Sequence, residues 1–418
     1  MASFTSKASG NWNAVGATTW NEANYPVAGD TVSISGAHVI TLSANAECAT
    51  ITNAGTVTPV TYSLTTSGAV TTSGTFGGNS NWTFAQNGTF SVTAGTFNAP
   101  AAAGTWNAAN NISMSNGITC NADGGTLTIV ASLTSTQQYN NYAYSKLVVN
   151  ADRTFTTTGS DSGFASITLG ANSTMSLGAP FYLLYSTTST FSLDSTAVIS
   201  GGSGFFAISM LNNKDLPAFL NFNHFETYFY TNTANLTLTL VGANTISGTT
   251  CMFYTNAVGA FTLAVNSRVL TISSIFSCGG ATGSPILTIT TGSLILNGAT
   301  TISAPTVVGG NSAYVIDMNA DLTITGTLSA PNDTGTFTMS GSTLTITGTY
   351  TANSGLITFD RAGTTTFTAN GKTFYNLNVS AATTVNLTDS ITIADNGAIA
   401  PAAGGTLAIA AGKEIIFL

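Results

Sequence analysis

Leu322-Thr-Ile324 and the identical Leu344-Thr-Ile346 set the fold, because each alternates apolar and small polar residues and each closes on a Thr-Gly corner. Period-two alternation over so few residues describes a half-buried β-strand. The same pattern recurs in Thr31-Val-Ser-Ile34, Thr126-Leu-Thr-Ile-Val130, Leu236-Thr-Leu-Thr-Leu240, Val269-Leu-Thr-Ile272 and Leu287-Thr-Ile289. Strand-like starts fall near 287, 294, 301, 315, 322, 337, 344, 357, 366 and 375, so the interval is about seven residues or a small multiple of it. Short strands at regular intervals, each followed by a Gly or Asn corner, describe successive faces of a β-solenoid. A β-sandwich array would use longer strands and a period near a hundred residues. The expected architecture is therefore all-β: an elongated β-solenoid, a right-handed parallel β-helix with a capped N-terminal region.

Composition agrees with that reading. The 418 residues include 75 Thr, 43 Ser and 38 Asn, while charged residues make up only 6%. An ordinary globular domain carries about 25% charged residues. Yet 43% of the chain is hydrophobic and mean hydropathy is +0.29, which separates it from disordered polymers of low hydrophobicity. Thr is β-branched and favours strands; Glu occurs four times and Lys five times, so the usual surface helix formers are scarce. The 43 Gly, and Asn beside them, suit corners that need positive φ.

Charge and cysteine usage narrow the function classes. Eight Lys+Arg, a net charge of −8 and a pI near 4.4 argue against nucleic-acid binding. No apolar run reaches the roughly 18 residues of a membrane span, so no membrane insertion is expected. The opening Met1–Asn13 lacks an apolar core of the kind a signal peptide needs. Cys48, Cys120, Cys251 and Cys278 lie far apart, and only His38 and His224 could join them. That is not the spacing of a zinc site, and buried thiols acting as small hydrophobes are expected instead, with no cofactor. One long-range disulfide stays open.

Four regions follow. Residues 1–60 form an N-terminal cap and the first rungs, 61–202 further rungs, 203–230 an aromatic-rich insertion or interface segment, and 231–418 regular rungs. In 203–230, Phe219, Phe222, Phe225, Tyr228, Phe229 and Tyr230 gather beside Lys214, Asp215, His224 and Glu226. Spacings of three and four among these phenylalanines would also suit one or two helical turns. They could form a ligand-binding surface, stack inward along successive rungs, or pack against a neighbouring chain. Trp12 and Trp20 near Asp30 could be an aromatic glycan platform, or could cap the open end of the first rung's core. Asp30, following Gly29 at a strand entry, suits a turn bond to backbone.

Glycan hydrolysis would need two carboxylates a few ångströms apart. Twelve Asp supply Asp194 with Asp215, or Asp317 with Asp321, but no recognisable cluster, so no enzyme is expected. Gly201-Gly-Ser-Gly-Phe-Phe-Ala-Ile208 lacks the Asp of calcium-binding nonapeptide repeats.

The segment Gly10-Asn-Trp12 … Trp20 … Pro26-Val-Ala-Gly-Asp30-Thr-Val-Ser-Ile34 resembles the opening of repetitive β-helical surface and virion proteins. Thr373-Phe-Tyr-Asn-Leu-Asn-Val379 … Ile391-Thr-Ile393 … Gly405-Thr-Leu-Ala-Ile409 resembles rungs of adhesin-like and bacteriophage-fibre β-helices. The resemblance implies a structural virion protein (fibre, spike or capsid/tail decoration) at the virion surface. Its implied partners are further copies of itself, as a trimer or filament, other virion proteins, and host-surface glycans. The absence of an export signal tilts the expectation towards a virion. The alternatives are a self-assembling extracellular filament or cell-surface adhesin subunit and, less favoured, a glycan-cleaving β-helix.

Overall fold

The computed structural model describes the chain apart from residues 79, 116, 122–123, 137–145, 159–161, 179, 186–188, 202–204, 211, 217–218, 224–225, 232–234, 248–249, 256–259, 267, 274, 281–283, 290–292, 303–306, 309–313 and 333–334, and apart from further side chains in strands between 162 and 308. Among the described residues there is no helix, and the strands pair in parallel as a β-solenoid. Two compact units divide the chain. One is built from Met1–Leu184 and Thr188–Phe206, the other chiefly from Ala207–Leu418.

In the first unit the chain visits three faces in turn. Thr31–Ile34 lies on one face, Val39–Thr41 on the second and Ala46–Cys48 on the third, before Thr50–Asn53 returns beside Thr31–Ile34. The second face is a 6-stranded sheet and the third an 8-stranded sheet. Offsets between paired residues range from 17, as in Val39 against Thr56, to 26, as in Asn244 against Leu270, and reach 30 at the N-terminal rung, as in Gly10 against Ile40. Three faces per rung explain why strand starts recur about every seven residues. The second unit repeats the scheme in Val315–Met318, Leu322–Ile324 and Thr327–Ser329, followed by Thr336–Met339, Thr343–Ile346 and Thr349–Thr351. Near its end two faces fuse: Thr373–Val379 and Ile391–Pro401 pair with a register shift between Phe374 and Asn376.

Alternation places one side-chain set in the interior. Phe76, Trp82, Phe84, Phe90, Phe97 and Trp106 are all buried and meet at ring-centroid distances between 5.0 and 6.4 Å. Each such side chain contributes about 1.5–3 kcal/mol by leaving water. In the second unit Phe359, Phe367 and Phe374 form a similar run, with centroids 5.2 and 5.3 Å apart. Over 203–230 the backbone is strand at Phe205–Met210, Lys214–Leu216, Phe219–Asn223 and Glu226–Thr231, so the helical-turn alternative is corrected: the parallel ladder continues.

Corners carry their own constraint. The carbonyls of Gly55, Gly74 and Gly95 accept from the amides of Thr75, Thr96 and Thr119 on the next rung, at 2.8, 3.1 and 3.0 Å. A Cβ on Gly74 would sit 2.0 Å from the Gly55 carbonyl oxygen, so only glycine lets the rungs close. Elsewhere Asn172 (φ 53°) and Asn370 (φ 50°) take the left-handed turn, which Asn tolerates.

The N-terminal residues form a partial rung over the first complete one. Ser3–Thr5 pairs with Thr31–Ile34, and Gly10–Asn11 pairs with Val39–Thr41. Asp30 ties this rung down: its carboxylate accepts the amides of Ala2 at 2.7 Å and Val27 at 3.1 Å. Those two bonds hold its carboxyl below the ordinary 3.8.

Two outcomes are expected. Gly74→Ala should cost about 1–3 kcal/mol, read by urea unfolding, because the colliding atoms are backbone. A group with a depressed folded pKa stabilises above its ordinary value and loses that contribution as pH falls through the folded value. The Tm advantage of the wild type over Asp30→Asn should therefore be full near neutrality and shrink below pH 3.8; a gap independent of pH would contradict this assignment.

Candidate functional site

The face of the first unit that begins with Ser3–Thr5 differs from its neighbours in what it shows to solvent. From that strand to Val198–Gly201, every outward-pointing strand residue is Ser or Thr except Val198. Register aligns them. Thr5 lies beside Ser33, and the file continues through Thr52, Thr71, Ser91, Ser113 and Thr136. The Thr136 hydroxyl then meets that of Thr158 at 3.0 Å. The other two faces are mixed: outward positions of the 8-stranded sheet include Glu47, Ala85, Asn107, Lys146 and Val148. The 6-stranded sheet includes Val39, Gly77 and Asn98. General strand propensity would enrich Thr on all faces alike, so the all-hydroxyl face is a distinct surface.

A shallow notch interrupts this face, lined by Asn111, Ser132, Leu133, Thr134, Thr154 and Thr156. Its cause is a strand offset. Ile112–Met114 pairs with the far end of Leu133–Thr136, beginning at Ser135, whereas Leu133, Thr134 and Ser135 all pair with the following rung at Phe155, Thr156 and Thr157. The side chain of Asn111 replaces the missing ladder partner by accepting the Thr134 amide at 2.8 Å. Ser132 does the same for Thr154, its hydroxyl accepting that amide at 3.0 Å.

Behind the notch, buried Gln86 holds the corner. Its Nε2 donates to the carbonyls of Gly88 and Asn110, both at 2.9 Å, and of Asn111 at 3.2 Å. Its Oε1 accepts the Trp106 indole N–H at 2.8 Å. The site has no charged lining residue. It offers hydroxyl and amide groups, which both donate and accept and so match neutral polyhydroxylated molecules.

Sequence reasoning did not single out Gln86, Asn111, Ser132, Thr134, Thr154 or Thr156. Two signals were present: a Gln at an inward position of Thr-Phe-Ala-Gln86, and uncharged Ser/Thr alternation in every third run. The residues it did single out lie elsewhere. Trp12 and Trp20 are fully buried, with ring centroids 5.5 Å apart and edge-to-face. Trp20 donates its indole N–H to the Trp12 carbonyl at 2.7 Å, and Trp12 to the Pro26 carbonyl at 3.3 Å. An exposed aromatic platform is therefore not formed by these two; they fill the partial N-terminal rung. The side chains of Phe219, Phe222, Phe225, Tyr228 and Tyr230 lie outside the described residues, while Phe229 is buried.

Asp194 belongs to the first unit and bonds the amide and hydroxyl of Thr196, which lowers its pKa; Asp215 belongs to the second. Asp321 caps the next rung, accepting the Ser342 and Thr343 amides at 2.8 and 2.9 Å, and Asp317 stands on the strand before it. Cys48 and Cys251 are buried thiols. Burial, with the nearby Asp30 charge, pushes Cys48 up to about 12, so it stays protonated. No protein-family model, curated protein or solved structure matches the chain.

Gln86→Leu should cost about 1–3 kcal/mol, since the carbonyls of Gly88, Asn110 and Asn111 and the Trp106 indole N–H each lose a hydrogen bond. Hydrogen exchange at the Thr134 amide should accelerate in that variant, because the corner carrying Asn111 loosens. Unchanged protection there would show that Gln86 does not position the notch.

Proposed function

We propose that this chain is a structural attachment protein, displayed on a virion as a fibre, spike or decoration, that holds host-surface glycans without cleaving them. The observation carrying this reading is the face on which all outward strand residues but Val198 are Ser or Thr. Hydroxyls at fixed spacing on a rigid ladder are preorganised, so little side-chain freedom is lost on binding. Each contact is weak, and strength comes from many made together. The virion setting is supported by the resemblance of the Gly10–Ile34 and Thr373–Ile409 segments to virion β-helices.

The test is cryo-electron microscopy of the purified chain together with a neutral and acidic glycan array. Discrete rods that retain neutral glycans support the reading; long end-to-end filaments with no glycan retained would replace it with self-assembly. Because the lining is uncharged, retention should change less than about twofold between low and physiological salt. Loss of retention on adding salt would refute the hydroxyl surface as the binding element.

A further inference from the structure

Resting on the attachment reading, we infer that the ligand is an unbranched, uncharged, extended glycan chain. It lies along the direction in which the rungs stack, with one sugar in the Asn111–Thr156 notch and its neighbours on the hydroxyl file. Parallel strands stack about 4.7–4.9 Å apart, and outward neighbours on one strand are about 6.6 Å apart. A sugar ring linked through opposite sides advances its chain by nearly the first of these steps. An extended β-linked chain laid along the file therefore meets a fresh Ser or Thr at each ring.

The file is uninterrupted from Thr5 to Thr136 and reaches Thr158. A second line begins on the same strand as Thr136 and continues through Thr134, Thr156, Ser176 and Ser200. The second line takes over where the first ends, and on Val70–Thr72, Phe90–Val92 and Ile112–Met114 each strand shows a single outward hydroxyl, which suits a chain without branches. A branch would have to pass over edges where the hydroxyl pattern ends.

Neutrality follows from the charges. No outward residue of this sheet within the first unit is ionisable, and the chain as a whole carries −8, which repels polyanions. Length dependence follows from uniformity. Outside the notch every rung offers the same weak hydroxyl contact, so affinity accumulates with the number of rungs covered. A net hydrogen bond corresponds to about two- to tenfold in affinity, so each added sugar should tighten binding by about that factor until the file is filled.

The experiment is calorimetric titration of the full chain with linear β-linked glucose oligosaccharides of increasing length. A curved α-linked series and a linear uronic-acid series of matched length serve as comparisons. The expected result is stepwise tightening with length for the neutral β-linked series alone. Ser113→Ala combined with Thr136→Val, beside the notch, should weaken the longest chain about fourfold or more. Thr128→Val on the 8-stranded sheet should leave it unchanged, with circular dichroism showing all variants folded. Equal affinity for short and long chains, or preference for the curved or charged series, overturns the extended neutral ligand but leaves attachment standing. Absence of binding to all three series, with neutral glycans retained on the array, likewise overturns only the inference. Absence of binding in both assays overturns the attachment reading as well.

Discussion

Parallel, in-register stacking of rungs is the constraint on which the rest of this molecule depends. Each strand amide reaches a carbonyl one rung away, so the immediate neighbour of a residue is its counterpart 17 to 30 positions along the chain. Like must then stack on like. Phe76 sits between Val57 and Phe97, and Thr75 between Thr56 and Thr96. The same rule makes corners unforgiving: Gly55, Gly74 and Gly95 lie so close in file that a single Cβ would meet backbone. Local choices are therefore repeated down the stack.

That repetition explains how a chain with 6% charged residues holds together. Ladder hydrogen bonds and buried aliphatic and aromatic files need few ion pairs; Lys413 and Asp389 approach only to 4.0 Å. Stability in such a stack adds rung by rung through nearest neighbours. Places where the ladder begins or slips need special groups. At the first rung Asp30 supplies acceptors for Ala2 and Val27. Where Leu133–Thr136 begins before the end of its neighbour Ile112–Met114, Asn111 supplies an acceptor for Thr134. The proposed binding notch is thus a by-product of two strands with offset ends, beside a corner held by Gln86 and Trp106.

The outer surface follows the same logic with a different outcome. Exposed positions are free of packing demands, and on two faces of the first unit they are chemically mixed. On the third they are hydroxyl-bearing throughout, save Val198. A surface of this kind has little electrostatic reach and gains specificity from spacing and shape, which suits a repetitive, uncharged ligand better than a compact charged one.

Alternation in runs such as Leu322-Thr-Ile324, and the recurrence of starts about every seven residues, determined strand, solenoid and inward set from sequence alone, because both are local properties of a pleated chain. Left-handed corners at Asn172 and Asn370 match the general suitability of Asn for such turns, whereas Val60 and Ala382 take the same conformation with no signal in the sequence. Trp12 and Trp20 were ambiguous, since a one-dimensional string does not tell a buried aromatic from a presented one; indole bonds to backbone and complete burial decided it. The candidate site was not legible. Thr5, Ser33, Thr52 and Thr71 are separated along the chain by whole rungs of unequal length, so no fixed spacing marks them as neighbours. Register is a property of the assembled ladder, so only the tertiary structure could bring those hydroxyls into one line and open the notch beside Asn111.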